Sequence, residues 1–356
     1  MRLFKLAQTL IGLALVGLPG FAFATDGIER QSAVVLMYHK FGENKYPSTS
    51  VRLEQLDEQI AFLEANDFQI WPLEKIVEKI QRKEPLPDKT LAITIDDAYD
   101  SIYTEAYPRF KQRGWPFTVF VSTDYIDRKF SSYLSWDQMR EMQQHGASYG
   151  NHSRSHAYLV RRLEGESEAQ WTKRVRDDLI YAQQRLTQEL KIPLQLLAYP
   201  YGEYNLALAN IVKEIGLLAF GQHSGPVGHH SDTRFMPRFP VNEMYGQMKG
   251  LKTKLLSLNL PIEKQTPLEP VTQEDIPQLR LNFADSPARL SQLNCFASGQ
   301  GVIKVEWINK EDREVKVSAN KAIGNGRSRY NCTAPSSERG RYYWFSQPWL
   351  KTATKN

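Results

Sequence analysis

Apolar positions along the chain come in two alternating rhythms. A continuous apolar run at 33–38 reads as a buried strand and ends at His39. Leu53, Leu56, Ile60 and Leu63 then recur at spacings of three and four, which predicts an amphipathic helix. A strand at 68–71 follows, then the helical stripe Leu73, Ile76, Val77 and Ile80. The exchange continues with a strand at 91–95 running into Asp96-Asp97, a helix over 102–112 and a β-prone run at 117–121. A helix over 136–145 is stopped by Gly146 before a short strand into Asn151-His152. A polar-faced helix over 168–190, a strand at 194–199, a helix at 206–215 and a strand at 217–220 complete the series. Strand and helix alternate throughout, which predicts parallel strands covered by helices. About seven such units point to an α/β fold of the distorted (β/α)7 barrel type, whose active site gathers at the C-terminal strand ends.

Beyond this region the rhythm changes. Pro261, Pro267, Pro270 and Pro277 punctuate a polar stretch, so 259–278 reads as a linker. Short strand-like runs at 302–307, 314–318 and 341–345, with a Gly324-Asn325-Gly326 turn signal, predict a small all-β, sandwich-like domain over 279–356. Trp307, Tyr342, Tyr343, Trp344 and Trp349 are dense for so short a stretch. Some must be core, and exposed ones could stack on sugar rings, so a carbohydrate-binding role stays open beside a structural one.

The N-terminus sets the compartment. Arg2 and Lys5, a short apolar stretch and Ala22-Phe23-Ala24 form a secretory signal peptide, with cleavage expected after Ala24. The protein is therefore expected in the periplasm or outside the cell, without stable membrane insertion. In that compartment Cys295 and Cys332, the only cysteines, read as a disulfide. Removing the signal lowers the formal net charge from +5 to +3, because 1–24 holds two bases and no acid. That balance is too weak to imply a nucleic-acid partner.

Three short stretches carry candidate chemistry. Asp96 and Asp97 place adjacent carboxylates at a strand end, either as a helix cap or as a metal ligand beside a free base. His152 and His156 stand four apart in His-Ser-Arg-Ser-His, a spacing that on a helical turn puts both imidazoles on one face. With Asp97 they make a two-histidine, one-carboxylate set with open positions. Tyr199-Pro200-Tyr201-Gly202 follows another predicted strand.

Together these stretches resemble the motifs of the polysaccharide deacetylases of carbohydrate esterase family 4, which share the nodulation-type (NodB homology) domain. The likeness runs from about residue 33 to 241, so 25–258 reads as the catalytic domain. Val35-Leu36-Met37-Tyr38-His39 looks most like the poly-N-acetylglucosamine deacetylase branch. The resemblance implies that Asp97, His152 and His156 bind a divalent metal, zinc first, with Co²⁺ or Ni²⁺ as alternatives. It implies that Asp96 is the general base, His39 the general acid and the Tyr201 backbone N–H an oxyanion donor. The substrate implied is an acetylated amino-sugar polysaccharide, with O-acetyl esterase activity or an impaired carbohydrate-binding protein as alternatives. Tyr199, Pro200, Trp136, Tyr133 and His223 are candidate substrate contacts. One departure stands out: the arginine that commonly opens the third motif is replaced by Ala198. Arg238 is the candidate substitute, or else a substrate contact.

Overall fold

The computed structural model of the protein describes residues 31–192 and 194–352. The expected signal peptide at 1–24 lies outside them. Strands Ser32–Tyr38, Thr90–Asp96, Phe117–Val121, Ala147–Asn151, Leu196–Ala198 and Leu218–Phe220 lie side by side in that order, each parallel to the next. The segment 236–240 then joins the two edges. Met236 bridges Phe220 on one side, and Phe239 and Pro240 pair with Leu36 and Met37 on the other, all in parallel. The result is the distorted (β/α)7-type barrel that the alternation predicts.

Closure explains the hydrophobic pattern. All seven residues of Thr90–Asp96 are buried, as are all seven of Ser32–Tyr38, because one face lines the barrel and the other lies under helices. Helix Leu53–Ala65 turns Leu56, Ile60 and Leu63 inward, and helix Glu168–Glu189 does the same with Val175, Leu179, Ala182 and Leu186. The helix expected over 102–112 is divided: Ile102–Ala106 is a π-helix, and Tyr107–Lys111 is α-helical. Pro108 has no N–H for the helical ladder, which gives a physical reason for the wider turn just before it. Helix Met248–Leu255, absent from the sequence reading, buries Met248, Leu251 and Leu255.

The strand ends are level. Tyr38 lies opposite its neighbour's Ile95, Asp96 opposite Phe120, Val121 opposite Asn151, and Ala198 opposite Phe220. The motif residues therefore leave the barrel at the same mouth, at or shortly after a strand end.

The C-terminal region is all β. Strands Gln278–Phe283, Asn294–Ala297, Gly301–Asn309, Glu314–Ser318, Gly326–Pro335 and Tyr342–Lys351 surround a core that includes Leu281, Val315, Tyr330 and Trp349. Cys295 and Cys332 face each other across paired strands and form the expected disulfide, with Cα atoms 4.1 Å apart. The 259–278 stretch is not a free linker. Ile262–Thr266 pairs with Gln278–Phe283, and Val271–Thr272 pairs with Tyr342–Lys351. Its prolines lie outside these two strands, so the ladder bonds survive them.

The two regions are bonded together. Leu258–Asn259 pairs with Tyr343 and Trp344, and Trp344 meets Phe239 of the barrel edge to face at 5.3 Å. Arg341 donates to the Leu256 carbonyl at 3.0 Å and to Asp88 at 2.8 Å. Among the described residues, no helix is long and apolar enough to cross a membrane.

Candidate active site

Asp96 is the last residue of its strand and is fully buried. Arg238, also fully buried, comes off the closing segment and grips both its oxygens, Nη1 to Oδ1 at 2.7 Å and Nη2 to Oδ2 at 2.8 Å. The fork is itself anchored: Nε donates to the Gly221 carbonyl at 3.1 Å, and Nη1 to Thr94 Oγ1 at 3.1 Å. Burial alone would raise the Asp96 pKa, but Arg238, aided by His152 and His39, holds the carboxyl below its usual range. Arg238 thus orients the carboxylate at a mouth where the third motif offers only Ala198. No part of it is exposed, so it offers a substrate no surface.

Asp97, His152 and His156 converge beside it. One ligand atom from each lies within 4.8 Å of the others. Asp97 Oδ1 is 3.3 Å from His152 Nε2 and 3.2 Å from His156 Nε2. His152 Nδ1 bonds the Ala198 carbonyl at 2.7 Å, and a carbonyl can only accept, so that nitrogen carries the proton. His152 Nε2 is then a buried lone pair with no donor to satisfy it, aimed at a carboxylate. Lone pairs facing one another need a cation between them, or a second proton on the imidazole. Burial lowers the His152 pKa, and Asp97, Asp96 and the Ala198 carbonyl together more than reverse this. Burial likewise opposes the charge on Asp97, whose pKa is nonetheless held well below normal by both histidines. The donor set, one carboxylate and two imidazoles with the second ring nitrogen of His152 fixed by a carbonyl, fits a divalent transition metal.

The two histidines do not share a helical turn, as their spacing alone suggested. They lie on a loop, with Ser153 and His156 both in the left-handed region at φ 67° and 56°. Asn151 Oδ1 accepts from the Ser153 N–H at 2.8 Å, and Ser153 Oγ accepts from the His156 N–H at 2.8 Å. Asp97, Ala98 and Tyr201 are left-handed too, at φ 74°, 60° and 59°. Each such residue costs on the order of 1–3 kcal/mol, and such strain collects at functional sites.

A cavity of about 760 Å³ opens over these groups, lined by His39, Asp97, His156, Tyr201 and His223 among others. Burial lowers the His39 pKa, while Asp97 and Asp96 pull it upward. His223 is pushed down to about 3, chiefly by burial. Of the other proposed contacts, Tyr199 is fully buried, its hydroxyl donating to the Arg234 carbonyl at 2.8 Å. Pro200 is buried beneath the mouth. Trp136 donates from its indole to Asp127 at 3.0 Å and lies under Arg185 rather than in the cavity. None of these three lines the cavity.

The cavity instead exposes a set of tyrosines. Tyr99 and Tyr125 line it with Tyr133, and the Tyr125 and Tyr133 rings stack at 4.8 Å. Tyr158 stacks on Tyr201 at 3.8 Å. Of these, Tyr133 is a sugar contact that the sequence suggests, and Tyr99 carries a signal in standing two residues beyond Asp97. The far wall comes from the C-terminal region, through Arg327, Ser328, Arg329 and Pro348. Of its aromatics, Trp349 belongs to the sheet core and also lines the cavity, Tyr343 is core, Trp344 packs on the barrel, and Tyr342 is exposed.

Residues 83–220 match a family model described as polysaccharide deacetylase. A poly-beta-1,6-N-acetyl-D-glucosamine N-deacetylase of Escherichia coli strain K12 is 23% identical over 308 residues, covering 72% of this chain and 45% of the relative. The chain thus spans less than half of that relative's length. One of the same name from Staphylococcus aureus strain MRSA252 is 26% identical over 238 residues, 60% of this chain and 80% of the relative. A Streptococcus pyogenes deacetylase, PplD, solved in complex with acetate, has a TM-score of 0.55 at 21% identity, covering 63% of this chain and 98% of that one. At that identity the likeness is one of fold.

Proposed function

We propose that the polysaccharide deacetylase domain carried by this chain hydrolyses N-acetyl groups from an N-acetylglucosamine-containing polysaccharide, in the periplasm or outside the cell. The observation that carries the reading is the pairing of two devices at one mouth. One is the Asp97, His152 and His156 donor set, and the other is Asp96, held as a carboxylate by Arg238. The relatives named for poly-N-acetylglucosamine favour a β-1,6-linked polymer as the first substrate to try.

Asp97, His152 and His156 would hold a divalent cation, zinc first. Such a cation polarises an acetamide carbonyl and lowers the pKa of coordinated water towards about 7. The remaining work belongs to the chain. Asp96 accepts the proton of the attacking water, and Arg238 keeps the carboxylate charged and correctly turned until it does. The left-handed turn at Tyr201 is read as presenting its N–H to the developing oxyanion. His39, at the mouth and within the field of both aspartates, is assigned proton delivery to the departing amine, which otherwise leaves poorly. The tyrosines give flat, partly polar surfaces suited to pyranose rings. An impaired binding protein loses its main motive, because Arg238 bonds the aspartate that Ala198 cannot.

The test is acetate release from partly acetylated glucosamine polymers. Chelation is expected to abolish release, and Zn²⁺ or Co²⁺ to restore it. Undiminished release from metal-stripped protein would end the metal assignment, and release from O-acetylated polymers alone would make the enzyme an esterase.

A further inference from the structure

Two arginines of the Gly326–Pro335 strand line the cleft, and they differ in how their charge is met. Arg327 donates to the Tyr201 carbonyl at 2.5 Å and lies 3.9 Å from Glu203. Arg329 anchors only its backbone, whose N–H donates to Ser298 Oγ at 3.1 Å. Among the described residues, the Arg329 guanidinium has no carboxylate partner. The groups that feel its charge are Lys254 and His223, and neither can neutralise it. Lys254 is also without a carboxylate, and its ammonium lies 5.1 Å from the ring of Tyr245, another cleft residue. His223 lines the cleft at 9% exposure, with its Nδ1 sealed away and unpartnered. Most arginines among the described residues find an acid, so an unpaired guanidinium in a cleft that it shares with a buried imidazole is a donor awaiting an acceptor.

We propose that Arg329, in the cleft it shares with His223 and Tyr245, forms an anion-binding subsite, with Lys254 over the Tyr245 ring adding positive charge. It takes a carboxylate-bearing sugar linked to the residue being deacetylated. The proposal rests on the deacetylase reading and narrows its substrate class to polymers in which N-acetylglucosamine alternates with, or neighbours, an acidic unit. A guanidinium matches a carboxylate in two parallel hydrogen bonds, and partial burial keeps the pair from being fully screened. Burial and Arg329 push the Lys254 pKa down to about 8, the direction that an arriving anion would reverse. The subsite also gives the C-terminal region a task. It completes the cleft, where a separate carbohydrate-binding module would act at a distance.

Equilibrium binding of two oligosaccharides to the full chain tests this. One is a neutral N-acetylglucosamine oligomer, and the other matches it in length but alternates with glucuronate. At low salt the anionic oligomer is expected to bind about 10-fold more tightly or better, the scale of one charge-assisted hydrogen bond. In Arg329→Gln the ratio should collapse towards one. Lys254→Met should reduce it less, and Arg329→Glu should invert it. Melting temperatures of the variants check their folding. Equal binding of both oligomers by the parent overturns the subsite, as does a loss in Arg329→Gln that falls equally on both. Acetate release is measured separately: a preserved binding preference with no release from either oligomer sinks the deacetylase reading and leaves the subsite standing.

Discussion

The barrel mouth and the C-terminal sheet solve opposite problems. Five non-glycine residues at the mouth, Asp97, Ala98, Ser153, His156 and Tyr201, sit in the left-handed region, whereas Arg313 alone does so among the described residues of the C-terminal strands and their turns. Asp96 and Arg238 are charges with no exposure at all, gathered from strands that meet only when the barrel closes. The C-terminal region instead spends its large side chains on ordinary burial and ties two adjacent strands by a disulfide. Strain and buried charge lower stability, so they persist where the surrounding fold over-determines them and chemistry repays the cost. A substitution at the mouth should therefore be read in activity and one in the sheet core in stability.

The sharpest way to break that contrast is Asp96→Asn. It is expected to keep metal content while lowering acetate release by about 10²-fold or more, the scale of a general base. Metal analysis beside kinetics checks this. If the variant loses metal as Asp97→Asn should, the division between base and ligand is wrong.

His39→Ala comes next. If His39 donates the proton, amide hydrolysis should fall by about 10²-fold. An activated ester, whose leaving group needs no proton, should still be cleaved nearly as well as by the parent. Equal loss on both substrates would make His39 structural and move attention to His223.

Arg238→Met should register in both regions' terms. Asp96 would remain buried without its partner, a situation that costs about 3–5 kcal/mol, so the melting temperature should drop. The sign for pH follows from the pairing. With Arg238 the folded carboxyl titrates below its unfolded value of about 3.9, so its stabilisation is present above that value and is lost as pH falls through the folded one. Without Arg238, burial dominates and raises the pKa, so the acidic limb of the pH–rate profile should move upward. An unmoved limb would mean that another group holds Asp96.

The smallest effect on activity is expected at the disulfide. Replacing Cys295 and Cys332 by alanine frees a loop closed over a separation of 37 residues, and should cost about 4 kcal/mol on the chain-entropy model. Thermal unfolding should show this, while kcat well below the transition stays within about twofold of the parent. A large kcat loss at unchanged stability would show that the sheet tunes the cleft more finely than a wall does.

Much of this was legible along the chain because it is local. Period-two and period-3.6 patterns depend on near neighbours, and they placed strands such as Phe117–Val121 and Glu314–Ser318 where the structure has them. The motif residues Asp96, Asp97, His152 and His156 were also legible, since each stands at or just after the end of a readable strand. Helix Met248–Leu255 and the pairing within 259–278 were not. Lysines interrupt the first pattern, and prolines next to the paired residues imitate a linker in the second.

What the sequence by itself determined is the kind of chemistry: a carboxylate pair, two histidines and a barrel rhythm that sends them to one end. Tertiary structure decided who completes the site. Arg238 reaches Asp96 across 142 positions, and Arg327 reaches Tyr201 across 126. No local pattern encodes such a meeting. A guanidinium looks the same in sequence whether it is bound for solvent or for a buried carboxylate, and only barrel closure and the docking of the second sheet decide which it becomes.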